Sequence, residues 1–263
     1  MSGFALRIGH FCSVPWIPNY VEAEKWMASL VNCESSGVRH LATSGAVDIT
    51  PMSVVDWFEL EGSWQRLGDW GISFRERAGS VCFFSQQPIE TLDRAEIAIC
   101  TETTTSVRVL HALLQEKYKL RIGSWQRHVD LNDSATPRLL IQNKAVEELA
   151  RKRFQFVYDL GAEWFEWQGT PVIPAVWVHK ASVSPEQTAQ LRQRLVDAMV
   201  LYRKDPEAAI AEHRAKYKWA ASIKDICALH RNFEYELEGE LFKRGLERMR
   251  AVLPARIEAL PAA

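Results

Sequence analysis

The stretch 95–115 shows the clearest change of pattern along the chain. A short apolar run at 97–100 comes first, and five hydroxyl residues follow between positions 101 and 106. Apolar residues then recur at 107, 110, 113 and 114, which is the spacing of one helix face. The pattern predicts a strand, a polar turn and an amphipathic helix over 105–117.

The hydroxyl cluster coincides with the first turn of this predicted helix. The first N–H groups of a helix have no partner within the helix, and the positive end of the helix dipole lies beside them. Thr105 and Ser106 are therefore placed where an anion such as a carboxylate binds well. The alternative is that Thr104 or Thr105 simply caps the helix.

Short apolar runs and helical spacings alternate up to about residue 179, and helical spacings alone follow. This order predicts an α/β fold. Ser53 precedes a helical spacing as a possible cap. The same spacings predict a strand at 4–9, a helix at 19–31, a strand at 37–41 and a last helix at 233–253.

Composition excludes several classes of protein. The 263 residues carry a formal net charge of -1 and are 47% hydrophobic, which fits a globular protein and disfavours nucleic acid as a partner. The chain has no phosphate-binding glycine loop and no cluster with metal-ligand spacing, so we expect neither a nucleotide cofactor nor a metal.

The five cysteines form no CxxC pair, which favours a reducing compartment. The N-terminal residues lack the apolar segment of a signal peptide, and no apolar run is long enough to span a membrane. We expect a cytoplasmic protein that does not bind membranes.

Three residues with reactive side chains follow the first predicted strand. His10, Cys12 and Ser13 lie in a turn at a strand end, where α/β proteins carry much of their function. His10 suits a general base or a carboxylate ligand; the alternative is a histidine that braces the turn. Cys12 suits a thiolate nucleophile; the alternative is an inert thiol.

The order of short motifs resembles the menaquinone-biosynthesis family of chorismate dehydratases. Each motif is weak alone, but they occur in the family's order over nearly the whole chain. They are Arg7-Ile8-Gly9 with Pro18, Val47-Asp48-Ile49 with Pro51-Met52-Ser53, Gly71-Ile72-Ser73, Gly79-Ser80-Val81 with Phe84-Ser85, Thr101-Glu102 with Thr105-Ser106-Val107, Val157-Tyr158-Asp159-Leu160-Gly161 with Glu163-Trp164, Trp167-Gly169 and Pro171, Ala175-Val176-Trp177, and Tyr235-Glu236-Leu237 with Gly245-Leu246.

The resemblance implies a two-lobed fold of the type II periplasmic binding proteins, with the ligand in a cleft between the lobes. Lobe 1 would comprise 1–84 and 176–263, and lobe 2 would comprise 85–175. The family's enzymes remove water from chorismate and leave 3-[(1-carboxyvinyl)oxy]benzoate without a cofactor. A carboxylate of the substrate itself would serve as base if the site places it correctly.

The resemblance also implies roles for individual residues. The reacting carbon and hydroxyl would face His10, Cys12 and Ser13. Substrate binding would fall to Ser53, Ser80, Thr105, Ser106 and Asn143. The partner would be a small-molecule carboxylate, and the protein would be a monomer or a homodimer.

The chain departs from the family's pattern at two motifs. The first motif usually has a serine and, three residues later, an asparagine; these positions hold Cys12 and Pro15, and His10 replaces the more usual arginine. Proline offers neither a side-chain donor nor an N–H. The second motif usually reads Leu-Ile-Gly-Asp, and here Gln142 and Asn143 replace its last two residues.

These departures leave two other functions open. One is a non-catalytic protein that binds or senses a small aromatic acid on the same scaffold. The other is a different enzyme of the superfamily, with another substrate and with His10 as its acid or base.

Overall fold

The computed structural model describes residues 6–26, 28–127, 130, 132–257 and 260. Its strands, in chain order, are β1 (Arg7–Phe11), β2 (Ser29–Cys33), β3 (Ile49–Ser53), β4 (Trp64–Phe74), β5 (Val81–Ser85), β6 (Glu96–Ile99), β7 (Ser124–Gln126), β8 (Arg138–Ile141), β9 (Phe156–Asp159), β10 (Ala175–Lys180) and β11 (Phe233–Glu236).

Helices connect most of these strands. They are α1 (Val38–Thr43), α2 (Val54–Leu60), α3 (Thr105–Ala112), α4 (Gln142–Arg151), α5 (Leu160–Gln168), α6 (Pro185–Lys204), α7 (Pro206–Tyr217), α8 (Ile223–His230) and α9 (Glu240–Val252). Short 3₁₀ helices occur at Val14–Asn19, Ala23–Lys25, Ser35–Gly37 and Ile89–Thr91, and α3 continues into a π-helical turn at Leu113–Lys117. In the part of the chain described, no helix is both long and apolar enough to span a membrane.

The chain divides into two compact units. The first comprises Met1–Gly71 and Ala175–Arg231, and the second comprises Ile72–Pro174 and Asn232–Ala263. The lobes expected from the resemblance, 1–84 with 176–263 and 85–175, stay a prediction. The segments 72–84 and 232–263 would belong to lobe 1, but they are part of the second unit. Strand β5 lies between β8 and β9 of the second unit. The Ile173 N–H of that unit contacts the Met249 sulfur of α9 at 3.1 Å.

The first unit has a mixed sheet in which β4, β10, β3, β1 and β2 lie in that order. Strands β1 and β2 are parallel, with His10 opposite Asn32. Strands β1 and β3 are also parallel, whereas β10 runs antiparallel to β3. The carboxyl ends of β1 and β3 therefore lie at one edge of the sheet, next to the first residue of β10.

The second unit has its own mixed sheet in the order β7-β6-β8-β5-β9. All five residues of β5 are buried, as expected for an apolar strand between two neighbours. Strands β6, β7 and β8 are parallel, and β5 is antiparallel to β8. The turns after β6 and β8 and the turn before β5 thus share one edge of this sheet.

The predicted strand, hydroxyl turn and helix around 95–115 are confirmed as β6, the turn at 100–104 and α3. The predicted helix at 19–31 is wrong. Glu22 has a left-handed backbone with φ 57, a 3₁₀ turn follows, and β2 begins at Ser29. Met27 of that predicted helix lies outside the described residues. The predicted strand at 37–41 is also wrong, because α1 begins at Val38.

The predicted last helix at 233–253 is correct only for its second part. Residues 233–236 form β11, in which Phe233 and Tyr235 are buried and Glu236 is exposed. This alternation is typical of a half-buried strand, and the helical spacing from Leu237 onward concealed it. Phe233 packs on Phe74 at the end of β4, with ring centroids 5.7 Å apart.

Candidate active site

Three polar side chains meet at the end of β1 in the first unit. The pairing of β1 with β2 sets His10 beside Asn32, and the His10 Nδ1 lies 2.9 Å from the Asn32 Oδ1. Cys12 follows two residues later and therefore returns to the same face of the strand. Its sulfur lies 3.5 Å from the His10 Nδ1 and 3.6 Å from the Asn32 Oδ1.

This arrangement shifts the pKa values of His10 and Cys12 in opposite directions. Burial opposes the charged form of His10, but hydrogen bonds with Cys12 and Asn32 outweigh it and raise the pKa of His10 above 6.5. Burial also opposes the thiolate of Cys12. Hydrogen bonds with His10 and Tyr217 and the positive charges of His10 and Lys216 outweigh that effect and lower the pKa of Cys12.

The end of α7 supplies the groups that complete this cluster. The Tyr217 ring lies 6.5 Å from the His10 ring, and the Tyr217 hydroxyl contributes to the lowered pKa of Cys12. Trp219 stacks on Tyr217 with centroids 5.5 Å apart. From the other side, Tyr20 meets the His10 ring edge-on at 4.5 Å and donates its O–H to the Gly9 carbonyl at 2.8 Å. Aromatic contacts thus orient the His10 imidazole on two sides.

Ser13 lies directly after Cys12 and is buried, with 8% of its surface exposed. Its hydroxyl oxygen is buried and has no hydrogen-bond partner among the residues that the structure describes. Buried hydroxyls without a partner are uncommon in folded proteins, and functional sites are among the places where they occur. The position of Ser13 beside Cys12 supports its assignment to the candidate site, which stays a prediction.

Pro15 falls in the first turn of the 3₁₀ helix Val14–Asn19, where its missing N–H costs little. His230 ties this helix to the rest of the first unit. The buried His230 ring has its Nε2 2.8 Å from the Val14 carbonyl and its Nδ1 2.6 Å from the Tyr202 hydroxyl. The Val14 carbonyl can only accept, so the neutral ring carries its proton on Nε2 and accepts from Tyr202 on Nδ1.

We expect the free energy of unfolding to decrease as the pH is lowered and His230 becomes protonated. Burial lowers the pKa of His230 from 6.5 to about 4. The unfolded chain binds this proton first, so the contribution is complete above pH 6.5 and is lost as pH falls from 6.5 to about 4. The loss of unfolding free energy over this pH range is about 3 kcal/mol. Urea unfolding at pH 7 and pH 5, followed by tryptophan fluorescence, measures it.

His230→Phe should show a smaller loss of unfolding free energy between those two pH values than the wild type does. The exposed His40 provides the control, because His40→Gln should keep the wild-type difference. An unchanged pH dependence in His230→Phe would contradict this account.

Ser53 ends β3 at the same edge of the first sheet. Its hydroxyl accepts the Asp56 N–H at 3.2 Å and donates to the Asp56 carboxylate at 2.7 Å. This confirms the predicted cap of α2. Both hydrogen-bonding directions of the hydroxyl are used inside the protein, and the substrate-binding role of Ser53 stays a prediction.

In the second unit, the turn before α3 distributes its hydroxyls differently from the sequence expectation. Thr104 precedes the helix but makes no side-chain cap, and Thr103 instead accepts the Val107 N–H at 3.1 Å. Thr105 donates its hydroxyl to the Pro174 carbonyl at 2.8 Å. The capping alternative for Thr104 and Thr105 is therefore wrong. The first-turn N–H groups of α3 and the Ser106 hydroxyl stay candidates for an anion.

Ser80, Gln142 and Asn143 lie at the same edge of the second sheet. The Gln142 N–H donates to the Ser80 carbonyl at 2.7 Å. Gln142 holds a left-handed backbone with φ 54, although it has a side chain. This is the position where the family motif has glycine, the residue that adopts such a φ without strain. The roles of Ser80 and Asn143 in binding substrate stay predictions.

Gln142→Gly should raise the free energy of unfolding, because glycine relieves the left-handed strain of about 1 kcal/mol. Thermal or urea unfolding measures the change. Lys152, which has φ 53 at the end of α4, is the matched control, and Lys152→Gly should stabilise by a similar amount. A clear loss of stability in Gln142→Gly alone would show that the glutamine side chain matters more than its backbone strain.

Lys144 does not present a free charge at this edge. Its ammonium lies 2.5 Å from the Glu102 carboxylate, so the ion pair links the turn after β6 to the start of α4. Burial opposes the charge of Glu102, but the hydrogen bond from Lys144 outweighs it and lowers the pKa of Glu102. The two charges offset each other next to Asn143.

Three residues of the cluster at β1 have no counterpart among the sequence predictions. Asn32 was assigned to no site because the wrong helix at 19–31 hid its strand. Lys216 and Tyr217 lie at the end of α7, whose sequence shows no motif. Residues 29–33 do not alternate between polar and apolar side chains, so β2 has no clear strand signal in the sequence. Among the described residues, no group of three or more His, Cys, Asp or Glu side chains is placed to hold a metal ion.

Comparison with known proteins adds family and fold. A family model described as menaquinone biosynthesis matches residues 6–254. A chorismate dehydratase from Thermus thermophilus is 23% identical over 260 residues, covering 90% of this chain and 91% of the relative. Both agree with the resemblance found in the sequence motifs.

Solved structures share the architecture at low identity. A protein from Archaeoglobus fulgidus is similar with a TM-score of 0.76 at 12% identity, covering 96% of this chain and 97% of that chain. The periplasmic aliphatic sulphonate binding protein SsuA from Escherichia coli gives a TM-score of 0.65 at 11% identity, covering 95% and 86%. The predicted α/β fold of the periplasmic-binding-protein kind is confirmed.

Proposed function

Because the chain belongs to the menaquinone biosynthesis family, we propose that it is a hydro-lyase that converts chorismate to 3-[(1-carboxyvinyl)oxy]benzoate and water. The observation that carries the proposal is the pair formed by His10 and Cys12, whose Nδ1 and sulfur lie 3.5 Å apart. The reaction needs one group that accepts a ring proton and one that gives a proton to the leaving hydroxyl. The lowered pKa of Cys12 favours the thiolate, which can accept the ring proton, and the raised pKa of His10 favours the imidazolium, which can give a proton to the leaving hydroxyl.

The chemistry asks little more of the protein. Loss of water makes the ring aromatic, which supplies the driving force, so the site has to hold the substrate and direct two proton transfers. His10, Cys12 and Ser13 are the catalytic residues of this proposal. The substrate is a small carboxylate, and the enzyme works without a cofactor, in the cytoplasm, as a monomer or a homodimer.

Substrate binding follows the family assignment with one refinement from the second unit. Because Thr105 already donates its hydroxyl to a backbone carbonyl, Ser106 and the first N–H groups of α3 are the better donors for a carboxylate. Ser80 and Asn143 lie at the same sheet edge and keep their assignment. In the first unit, Ser53 keeps its substrate-binding assignment by its place at the end of β3. Its hydroxyl already bonds Asp56 in both directions.

Direct turnover tests the proposal. Purified protein is incubated with chorismate, and the reaction is followed by chromatography and mass spectrometry for an aromatic product lighter than chorismate by one water. We expect product at a rate proportional to enzyme concentration. Absence of product at high enzyme concentration would overturn the dehydratase.

The departure at Pro15 supports a second candidate, a protein that binds a small aromatic acid without converting it. Proline has no side-chain donor at the position of the family's asparagine. This candidate predicts that chorismate or a benzoate raises the melting temperature while no product forms. The same incubation, read for both stabilisation and product, separates the two functions.

A further inference from the structure

The hydrogen bonds around His10 assign the protons of the cluster. The Asn32 Oδ1 can only accept, and the nearest donor to it is the His10 Nδ1 at 2.9 Å, so Nδ1 carries a hydrogen. A ring nitrogen that carries a hydrogen cannot accept one from a thiol. The Cys12 sulfur at 3.5 Å from Nδ1 can accept this hydrogen, whereas a neutral Cys12 thiol would donate to the Asn32 Oδ1 at 3.6 Å.

Tyr217 completes the same pattern from α7. The Tyr217 ring lies 6.5 Å from the His10 ring, and its hydroxyl lowers the pKa of Cys12 as a hydrogen-bond donor to the sulfur. The sulfur thus faces two donors, the His10 ring and the Tyr217 hydroxyl. Stacking on Trp219 restrains the Tyr217 ring and keeps its hydroxyl near the sulfur.

Other charged or titratable groups face the pair from each neighbouring element. On α7, Lys216 adds positive charge to Cys12 and His10, and His213 lies close enough to interact with His10. Strand β2 contributes Cys33, whose thiol has its pKa raised to about 12 by burial and is thus neutral. Tyr20 is buried and un-ionised, because burial raises its pKa well above 10.

We propose that Asn32 and Tyr217 are positioning residues that hold His10 and Cys12 as an imidazolium–thiolate pair, the proton-transfer unit of the dehydration. The inference rests on the proposed function for its substrate. The Cys12 thiolate accepts the ring proton, and the His10 imidazolium gives its proton to the departing hydroxyl, which leaves as water. The Cys12 thiol then loses its proton to solvent and the His10 Nε2 takes one from solvent, which restores the pair.

This role accounts for the three departures from the family's first motif, at His10, Cys12 and Pro15. Pro15 leaves the 3₁₀ helix without the family's amide side chain. Asn32 supplies an amide from the adjacent strand, and the oxygen of this amide contacts the His10 ring and the Cys12 sulfur. The departures at positions 10, 12 and 15 are then parts of one rearranged site.

Alkylation of Cys12 tests the pair without any substrate. Wild-type protein is treated with iodoacetamide between pH 4 and pH 10, and labelling at each cysteine is followed by mass spectrometry. Cys227, partly exposed and outside the cluster, is the internal control. We expect the rate at Cys12 to rise with a midpoint below that of an ordinary thiol, about pH 8.5, while Cys227 rises at or above that pH.

The variants separate positioning from packing. Tyr217→Phe keeps the stacked ring and loses one donor, so the Cys12 midpoint should move up by about one pH unit. Asn32→Leu should move it in the same direction, because the His10 Nδ1–H loses its acceptor. Cys227 should titrate identically in all variants, and melting temperatures show that each is folded.

An ordinary Cys12 midpoint in the wild type, or midpoints unmoved by Tyr217→Phe and Asn32→Leu, would overturn the inference. Thiolate absorbance at 240 nm gives a second readout of the same titration. A low Cys12 midpoint without any chorismate turnover would instead refute the proposed function while the imidazolium–thiolate pair stands.

Discussion

The His10→Gln variant is expected to lose about 100- to 1,000-fold in kcat/KM for chorismate dehydration. Glutamine keeps a polar group beside Asn32, but it cannot become a cation or give up a proton near neutral pH. The proton for the leaving hydroxyl would then have to come from water. Initial rates of product formation at several chorismate concentrations measure the loss.

The fall should lie in kcat more than in KM, because the imidazole acts on the transition state and not on the bound carboxylates. The His40→Gln control, on the exposed side of α1, should keep the wild-type rate. A His10→Gln variant with wild-type kcat/KM would remove His10 from the chemistry and leave a base supplied by the substrate as the better mechanism.

The wild-type enzyme should also show a bell-shaped dependence of kcat/KM on pH. Activity falls on the acid side as Cys12 is protonated and on the alkaline side as His10 loses its proton. Because the pKa of His10 is raised, the alkaline limb should lie above pH 6.5. In His10→Gln that limb should disappear from the residual activity.

The Gly9→Ala variant should lower the free energy of unfolding by at least about 3 kcal/mol. A Cβ added at Gly9 would lie 2.1 Å from the Thr50 Oγ1 and 2.7 Å from the Thr50 Cβ. Thr50 is fully buried on β3 and its hydroxyl donates to the Pro51 carbonyl, so it cannot move aside without loss. Relief of the clash would displace β1 from β3 and disturb the neighbouring His10.

Urea unfolding measures this effect, and a residue exchange identifies its cause. Thr50→Gly removes both close atoms and leaves only the Thr50 Cα, at 3.4 Å. The double variant Gly9→Ala with Thr50→Gly should therefore be more stable than the sum of the two single changes predicts. Gly37→Ala is the control, since nothing lies within 4 Å of the added Cβ and φ is -85. It should change stability by less than about 0.5 kcal/mol.

Elements with a strong local signal could be predicted from the sequence. The strand and helix on either side of the hydroxyl turn at 100–104 were found because each has its own hydrophobic period. The cap of α2 by Ser53 follows from the spacing of a serine and an acid three residues later. Family and fold followed from short motifs in a fixed order, which the family model over 6–254 confirms.

Elements whose local signal was ambiguous were predicted wrongly. The apolar spacing of 19–31 is compatible with a helix. The left-handed backbone at Glu22 interrupts that helix, and pairing with β1 makes 29–33 a strand. At 38–43 the apolar content suits a strand, yet α1 forms because its neighbours in the fold bury Val38 and Ala42 on one side. In such short segments tertiary contacts outweigh local preference.

The sequence alone determined that His10, Cys12 and Ser13 stand together at the end of the first strand, since neighbours in the chain stay neighbours in the fold. The predicted end of that strand at residue 9 was wrong, because β1 continues to Phe11 and includes His10. It also determined the α/β class and the family. Only the tertiary structure decided that Asn32 lies against His10 and that Tyr217 lies near the His10 ring, because strand pairing and helix packing join residues far apart in the chain. In our proposal these long-range contacts set the protonation of the pair, and no local pattern encodes them.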